Sequence, residues 1–186
     1  VRCAQELVVC IMEGGLSSLQ NLFLSQNALA DVGVMKLCNG LADHPSLRHL
    51  KVNAAEISDD GVGGLAALAA SLPVLDRLEL AYNRVTDDGF GPFCDWLRVA
   101  GSRFKGRHLN LDGNLCGDAS VPALCELLRT SPWIESVMLR GNFFGTVAAL
   151  ELLQCVRDCP HIHEVLLKGN EIAKDPKGAK AWAELA

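Results

Sequence analysis

The stretch Leu75-Asp76-Arg77-Leu78-Glu79-Leu80-Ala81-Tyr82-Asn83-Arg84-Val85 decides the fold of this chain. Leu78 and Leu80 alternate with polar side chains, the period-two signature of a short strand with one buried face. Asn83 then stands where the chain must turn away, and its amide can bond turn backbone groups that stacking would orphan. Val85 re-enters the interior. The same spacing recurs at Leu19, Leu22, Leu24, Asn27, Leu29; at Ile134, Val137, Leu139, Asn142, Phe144; and at Ile162, Val165, Leu167, Asn170, Ile172. Two copies are imperfect. One keeps Leu47, Leu50, Val52 and Ile57 but has Ala55 in the Asn place. The other keeps Leu109, Leu111, Asn114 and Cys116 but opens on Gly106.

The copies start at 19, 47, 75, 106, 134 and 162, a 28-residue period broken once by a step of 31. A regular period of this length marks a repeat architecture. Residues 1–18 read as the second half of an earlier copy, with a helix over Ala4 to Met12. Asp31, Asp59, Asp87 and Asp118 share one place in their copies; with Ser58 and Thr86 beside them they read as N-terminal caps of the helices that follow. The helices show apolar spacing of three and four, as in Val62, Leu65, Leu68, Ala69 and Leu72. Pro45, Pro73, Pro132 and Pro160 fall at one offset and stop them.

One strand and one helix cannot bury both apolar faces, so the copies must stack. Strands about 4.8 Å apart on one side and helices about 10 Å apart on the other force a curve. The pattern resembles the ribonuclease-inhibitor-like subfamily of leucine-rich repeats. The 28-residue period, the Asn-x-Leu turn and the run Thr86-Asp87-Asp88-Gly89 carry the resemblance, which covers essentially the whole chain. It implies an α/β, right-handed leucine-rich-repeat solenoid, or horseshoe, with a parallel sheet on the concave face and helices on the convex face. One domain over 1–186 is expected, and the absence of an initiator Met and the uncapped repeat ends lead to the expectation that it is part of a longer chain or assembly. Members of the subfamily share a concave face that binds proteins. They include ribonuclease inhibitor, the Ran GTPase-activating proteins and the sensor ends of NOD-like receptors, so a GTPase-activating or sensor role stands as the alternative to a plain scaffold.

Composition narrows the function. The 186 residues carry a net charge of −5, which speaks against a nucleic-acid module with its basic stripe and against a polybasic membrane anchor. No apolar run reaches the roughly 18 residues of a membrane span. Eight cysteines are present, and Cys10, Cys38, Cys94 and Cys125 share one helix position. Free Cys behaves there as a small apolar side chain. Helix axes about 10 Å apart put equivalent positions beyond disulfide reach, so buried thiols and a reducing, cytoplasmic setting are expected, with nuclear or cytoskeletal settings also open.

Candidate chemistry is thin. Cys155, Cys159, His161 and His163 could supply four zinc ligands, but their spacing matches no usual finger, Cys155 fits the repeat as core, and the two histidines should be solvated. Asp59-Asp60 and Asp87-Asp88 are explained by capping and the helix dipole. Gly61, Gly63 and Gly64 precede no Gly-Lys-Ser/Thr, and no Gly-x-Ser-x-Gly occurs. The expectation is no enzyme, no metal and no cofactor. Trp96, Trp133 and Trp182 read as helix or helix-end packing.

A protein partner is expected on the outward strand positions. These are Asn21, His49, Arg77, His108, Ser136 and Glu164; then Phe23, Lys51, Glu79, Asn110, Met138 and Leu166; then Ser25, Asn53, Ala81, Asp112, Arg140 and Lys168. Apolar Phe23, Met138 and Leu166 at outward positions mark a contact surface. Arg77, Tyr82 and His108 are types suited to hot spots. The three-residue insertion offers a second site, where Arg103-Phe104-Lys105 sets an aromatic between two cations at a helix-to-strand junction.

Overall fold

A computed structural model describes residues 16–99 and 104–172. Strands and helices alternate in it throughout: β1 (Asn21–Phe23), α1 (Ala30–Leu41), β2 (His49–Lys51), α2 (Asp59–Ser71), β3 (Arg77–Glu79), α3 (Asp87–Val99), β4 (His108–Asn110), α4 (Val121–Thr130), β5 (Ser136–Met138), α5 (Thr146–Arg157) and β6 (Glu164–Leu166). A short 3-10 turn, Asp118–Ser120, leads into α4. The six strands form one sheet in chain order, every pair parallel. The register follows the repeat: Leu22, Leu50, Leu78, Leu109, Val137 and Val165 stand side by side across the sheet. Each helix packs on the next. The chain is thus an α/β leucine-rich-repeat solenoid, with the more closely spaced strands on its inner side. Among the described residues no helix is long and apolar enough to cross a membrane. The expected partial repeat over 1–18, the helix with Trp182, and Arg103 fall outside the described residues, save for Leu16 to Ser18.

Aliphatic side chains from every repeat fill the interior, as Leu47, Ile57, Leu65, Leu72, Leu75 and Leu139 do, all fully buried. The fourth repeat fills its place differently. Gly106 stands where its neighbours carry Leu or Ile, and a Cβ there would lie 2.4 Å from the ring of Phe104. Phe104 is fully buried. Its ring occupies the space the missing leucine would have used, so the expectation that Phe104 offers its ring to a partner is corrected.

Two ladders of polar side chains tie the repeats. Asn83 donates to Leu80 O in its own turn (2.9 Å) and to Val52 O of the preceding repeat (3.0 Å). Its Oδ1 accepts the Ala55 and Ile57 N–H groups, also of the preceding repeat. Asn114, Asn142 and Asn170 repeat this arrangement, each binding its own turn and the one before. Ala55 cannot. Across that joint Leu29 N–H turns to Asn27 O at 2.7 Å and Ala30 N–H reaches Ala55 O at 3.0 Å.

The aspartates run the other way. Asp31 Oδ1 accepts the N–H groups of Ser58 (2.8 Å) and Gly61 (3.1 Å), and its Oδ2 accepts the Ser58 hydroxyl. Asp59 does the same for Thr86, Asp87 binds Gly117 N–H and the Ser120 hydroxyl, and Asp118 binds Gly145 N–H. This corrects the capping expectation. Each carboxylate sits in the first turn of its own helix, where the dipole favours it, but it caps the start of the next repeat's helix. Thr86 caps its own helix, accepting the Asp88 N–H. Gly61 and Gly89 are the clearance for this contact: a Cβ at either would lie 2.3 Å from the incoming aspartate oxygen.

Candidate protein-binding surface

The register brings the expected outward residues into adjacent columns. Asn21, His49, Arg77, His108, Ser136 and Glu164 form one row; Phe23, Lys51, Glu79, Asn110, Met138 and Leu166 form the next. Their side chains are not equally available.

Glu79 gathers the middle of the face. Its carboxylate takes His49 Nε2 at 2.7 Å, Lys51 Nζ at 3.0 Å and Asn53 Nδ2 at 3.1 Å. Burial opposes its ionisation, but the hydrogen bonds from Lys51, His49 and Asn53 outweigh it and hold the carboxyl below its ordinary range. Phe23, 58% exposed, stands edge-on to His49 at 4.7 Å between ring centroids. Asn53 also accepts the Ala81 N–H, and Ala81 is buried.

A second cluster lies further along the sheet. Asp112 is buried, with only 7% of its side chain exposed. It accepts the Arg140 backbone N–H at 2.7 Å and the guanidinium through Nε (2.9 Å) and Nη2 (2.6 Å). The guanidinium is therefore pinned from beneath while its outer edge remains open. His108 Nδ1 meets Ser136 Oγ at 2.9 Å, which buries Ser136. Burial, then the Arg77 charge, lowers the His108 pKa. Asn110 accepts the Asp112 N–H. Met138 and Leu166 are half-buried rather than freely exposed.

Tyr82 is 69% exposed, and its place has a backbone origin. The residue before each turn asparagine position has positive φ in all six repeats: Gln26, Ala54, Tyr82, Gly113, Gly141 and Gly169. Glycines in the last three satisfy this without steric cost. Gly113 also leaves room for the Tyr82 ring, which a Cβ there would meet at 2.4 Å. The three glycines at one offset were a readable signal for this geometry, and sequence reasoning passed over it.

The insertion contributes less than expected. Phe104 is core, and Lys105 lies over the half-buried Trp133, 4.1 Å from the ring centroid. On the helical side Trp96 departs from the packing expectation. It is 55% exposed and, with Asp95 and Val99, lines a shallow depression. Phe90 and Phe93, both fully buried, already fill the interior behind α3. His161 is not solvated as expected: it is half-buried, with Nε2 3.0 Å from Leu128 O. His163 is exposed. Among the described residues no group of three or more His, Cys, Asp or Glu could hold a metal ion. All six described cysteines are free and buried.

A family profile described as leucine-rich repeat matches residues 15–38. No curated protein matches the chain. Among solved structures, actin-binding site 2 of leiomodin-1 is similar over 97% of this chain and 94% of its own, at 10% identity and a TM-score of 0.66. The C-terminal domain of tropomodulin from Caenorhabditis elegans covers 97% of this chain and 89% of its own, at 13% identity and a TM-score of 0.49. The chain has the leucine-rich-repeat fold. At such identity the likeness to leiomodin-1 is one of fold.

Proposed function

We propose that this chain is a non-catalytic protein-interaction scaffold that binds a protein through its concave sheet face. One observation carries the reading. The face is held rigid by hydrogen bonds among its own polar groups, and Phe23, Arg77, Tyr82 and Arg140 project from it. Aromatic and arginine side chains on a preorganised platform are the groups that dominate protein interfaces, because they bury much area at little entropic cost. Helices of 10 to 13 residues in the first five repeats support the ribonuclease-inhibitor-like class. The chain works in this reading as one stacked unit within a longer chain or larger assembly.

The test is site-specific photo-crosslinking. A photoreactive residue replaces Phe23 or Tyr82 on the face, and Glu151 on the outside of α5 as control. Crosslinks to one protein from the first two positions and not the third, with binding of that purified protein lost in Tyr82→Ala, are expected. Crosslinks from Glu151 alone overturn the reading. Purified actin is a direct first ligand to add, since the similar leiomodin-1 segment is an actin-binding site.

A further inference from the structure

Every charged side chain in the three outward rows has a definite place. The cations are Lys51, Arg77, Arg140 and Lys168; the carboxylates are Glu79, Asp112 and Glu164. Cations and carboxylates are thus nearly equal in number, but they stand at different heights. Glu79 and Asp112 are recessed, with 19% and 7% of their side chains exposed, and both are consumed by internal hydrogen bonds. Arg77 and Arg140 stand above them, with 50% and 47% exposed. Among the described residues Arg77 pairs with Asp76 alone, at 3.8 Å, and Asp76 is committed to Arg107 at 2.6 Å. Over β3 to β5 an approaching molecule meets guanidinium groups first, while Glu164, on β6, is exposed beyond them. The chain as a whole carries 22 acidic against 17 basic residues, so this face runs against the overall charge.

We propose that the sheet face takes an acidic polypeptide segment, with Arg77 and Arg140 receiving its carboxylates and Tyr82 packing against an apolar residue beside the Arg140 end. The proposal rests on the sheet face being the binding surface. Arg140 is preorganised for this by Asp112, so little rotamer entropy is lost when its outer edge takes a carboxylate. The spacing sets the ligand. β3 and β5 are two strand intervals apart, about 10 Å, and the two arginines are staggered by four residues, about 13 Å along the strand. Their backbone positions are therefore about 16 Å apart, which an extended chain spans in about five residues. A segment with two acidic clusters so spaced and an apolar residue near one of them fits the patch. A nucleic acid also offers anionic groups, but exposed Glu164 on β6 repels a phosphate chain that continues past Arg140, whereas a short acidic segment can end before it.

The experiment is fluorescence anisotropy of the full chain with three labelled probes: a short Asp/Glu-rich peptide carrying one Phe, a Lys/Arg-rich peptide of the same length, and single-stranded DNA. The acidic peptide binds best, weakens as salt rises, and loses about tenfold in affinity in Arg77→Gln/Arg140→Gln. Arg129→Gln, on the exposed side of α4, leaves it unchanged. Arg77→Gln alone keeps Asp112 paired, so a loss of roughly fivefold there cannot come from misfolding. Equal or better binding of the basic peptide or of DNA, no binding of the acidic peptide, or unchanged binding by the double variant overturns the proposal. If the acidic peptide fails while the photoreactive residue at Tyr82 still crosslinks a protein, the charge assignment falls and the sheet-face reading stands. Crosslinks from Glu151 alone remove both.

Discussion

Replacing Asn142 by alanine tests the load on the asparagine ladder. Asn142 is buried, and its Nδ2 donates to Leu111 O (3.0 Å) and Leu139 O (3.1 Å) while its Oδ1 accepts the Cys116 N–H (3.1 Å). Truncation orphans the Cys116 N–H in a dry interior and removes one of two donors from each carbonyl, since Leu111 O keeps Asn114 Nδ2 and Leu139 O keeps Asn170 Nδ2. Each unmade buried hydrogen bond costs about 1–3 kcal/mol, the carbonyls less than the N–H. The chain itself shows how far relaxation can go. Opposite Ala55, Leu29 N–H is redirected to Asn27 O, and Ala30 and Glu56 adopt φ of 49° and 60°. Left-handed backbone at two non-glycine residues costs about 1–2 kcal/mol each, so rewiring saves little. The expected loss for Asn142→Ala is about 3 kcal/mol, or about 6–12 °C in Tm for a chain of this size. Asn27→Ala is the control. Its amide donates to Leu24 O and Ser25 O in an exposed turn, and it should cost under about 1 kcal/mol. Urea denaturation followed by circular dichroism measures both, and hydrogen exchange at the Cys116 amide reports the local effect. A loss in Asn142→Ala no larger than in Asn27→Ala, with Cys116 still protected, would refute the reasoning.

Three further perturbations probe separate joints. Gly61→Ala forces a Cβ to within 2.3 Å of Asp31 Oδ1 and should cost about 2 kcal/mol by dislodging the cap, whereas Gly63→Ala, with nothing within 4 Å, should gain about 0.5–1 kcal/mol in urea denaturation. Phe104→Ala should cost about 3–5 kcal/mol, and adding Gly106→Leu should recover much of it, a coupling that a double-mutant cycle reads directly. Burial pushes the Cys38 thiol up to about 12 and the Cys155 thiol up to about 11 from an ordinary value of 9.0. The folded chain keeps these protons while the unfolded chain loses them, so stability is full below pH 9 and falls as pH rises towards 11–12. Thiol titration at pH 8 should be slow at the six described cysteines until denaturant is added.

The strands, the helices and the register were legible because each follows from hydrophobic period alone, as Leu78-Glu79-Leu80 and Val62-Gly63-Gly64-Leu65 show. The targets of the polar side chains were not. Asp59 opens a helix, and only the stacking distance reveals that its carboxylate belongs to Thr86 of the next repeat. The face was legible as a list of columns but not as a relief. Sequence placed Glu79 and Arg77 as equals, and the hydrogen bonds from His49, Lys51 and Asn53 are what sink one and leave the other standing. Phe104 and Gly106 compensate each other across two residues, a pairing no period predicts.

The same ladders imply that the solenoid is not equally stable along its length. Between the third and sixth repeats every joint has its asparagine, and the positive-φ residues at Gly113, Gly141 and Gly169 are glycines. Between the first and second the asparagine is missing, and Gln26, Ala30, Ala54 and Glu56 all carry positive φ. The polar side of that joint is held by the Asp31 contacts with Ser58 and Gly61, by Ser71 Oγ accepting the Asp43 N–H and by Ser25 Oγ accepting the Asn53 N–H, with no buried asparagine side chain across it. In a stacked array local opening follows the weakest interface. Amides of residues 21–41 should therefore exchange through a sub-global opening of lower free energy than those of 108–157. Phe23 projects from this weak repeat, so a partner seated on it must raise protection there more than anywhere else. Uniform protection from 21 to 157 in the free chain, measured by hydrogen exchange under native conditions, would show that aliphatic packing alone sets the stability and that the missing asparagine costs nothing.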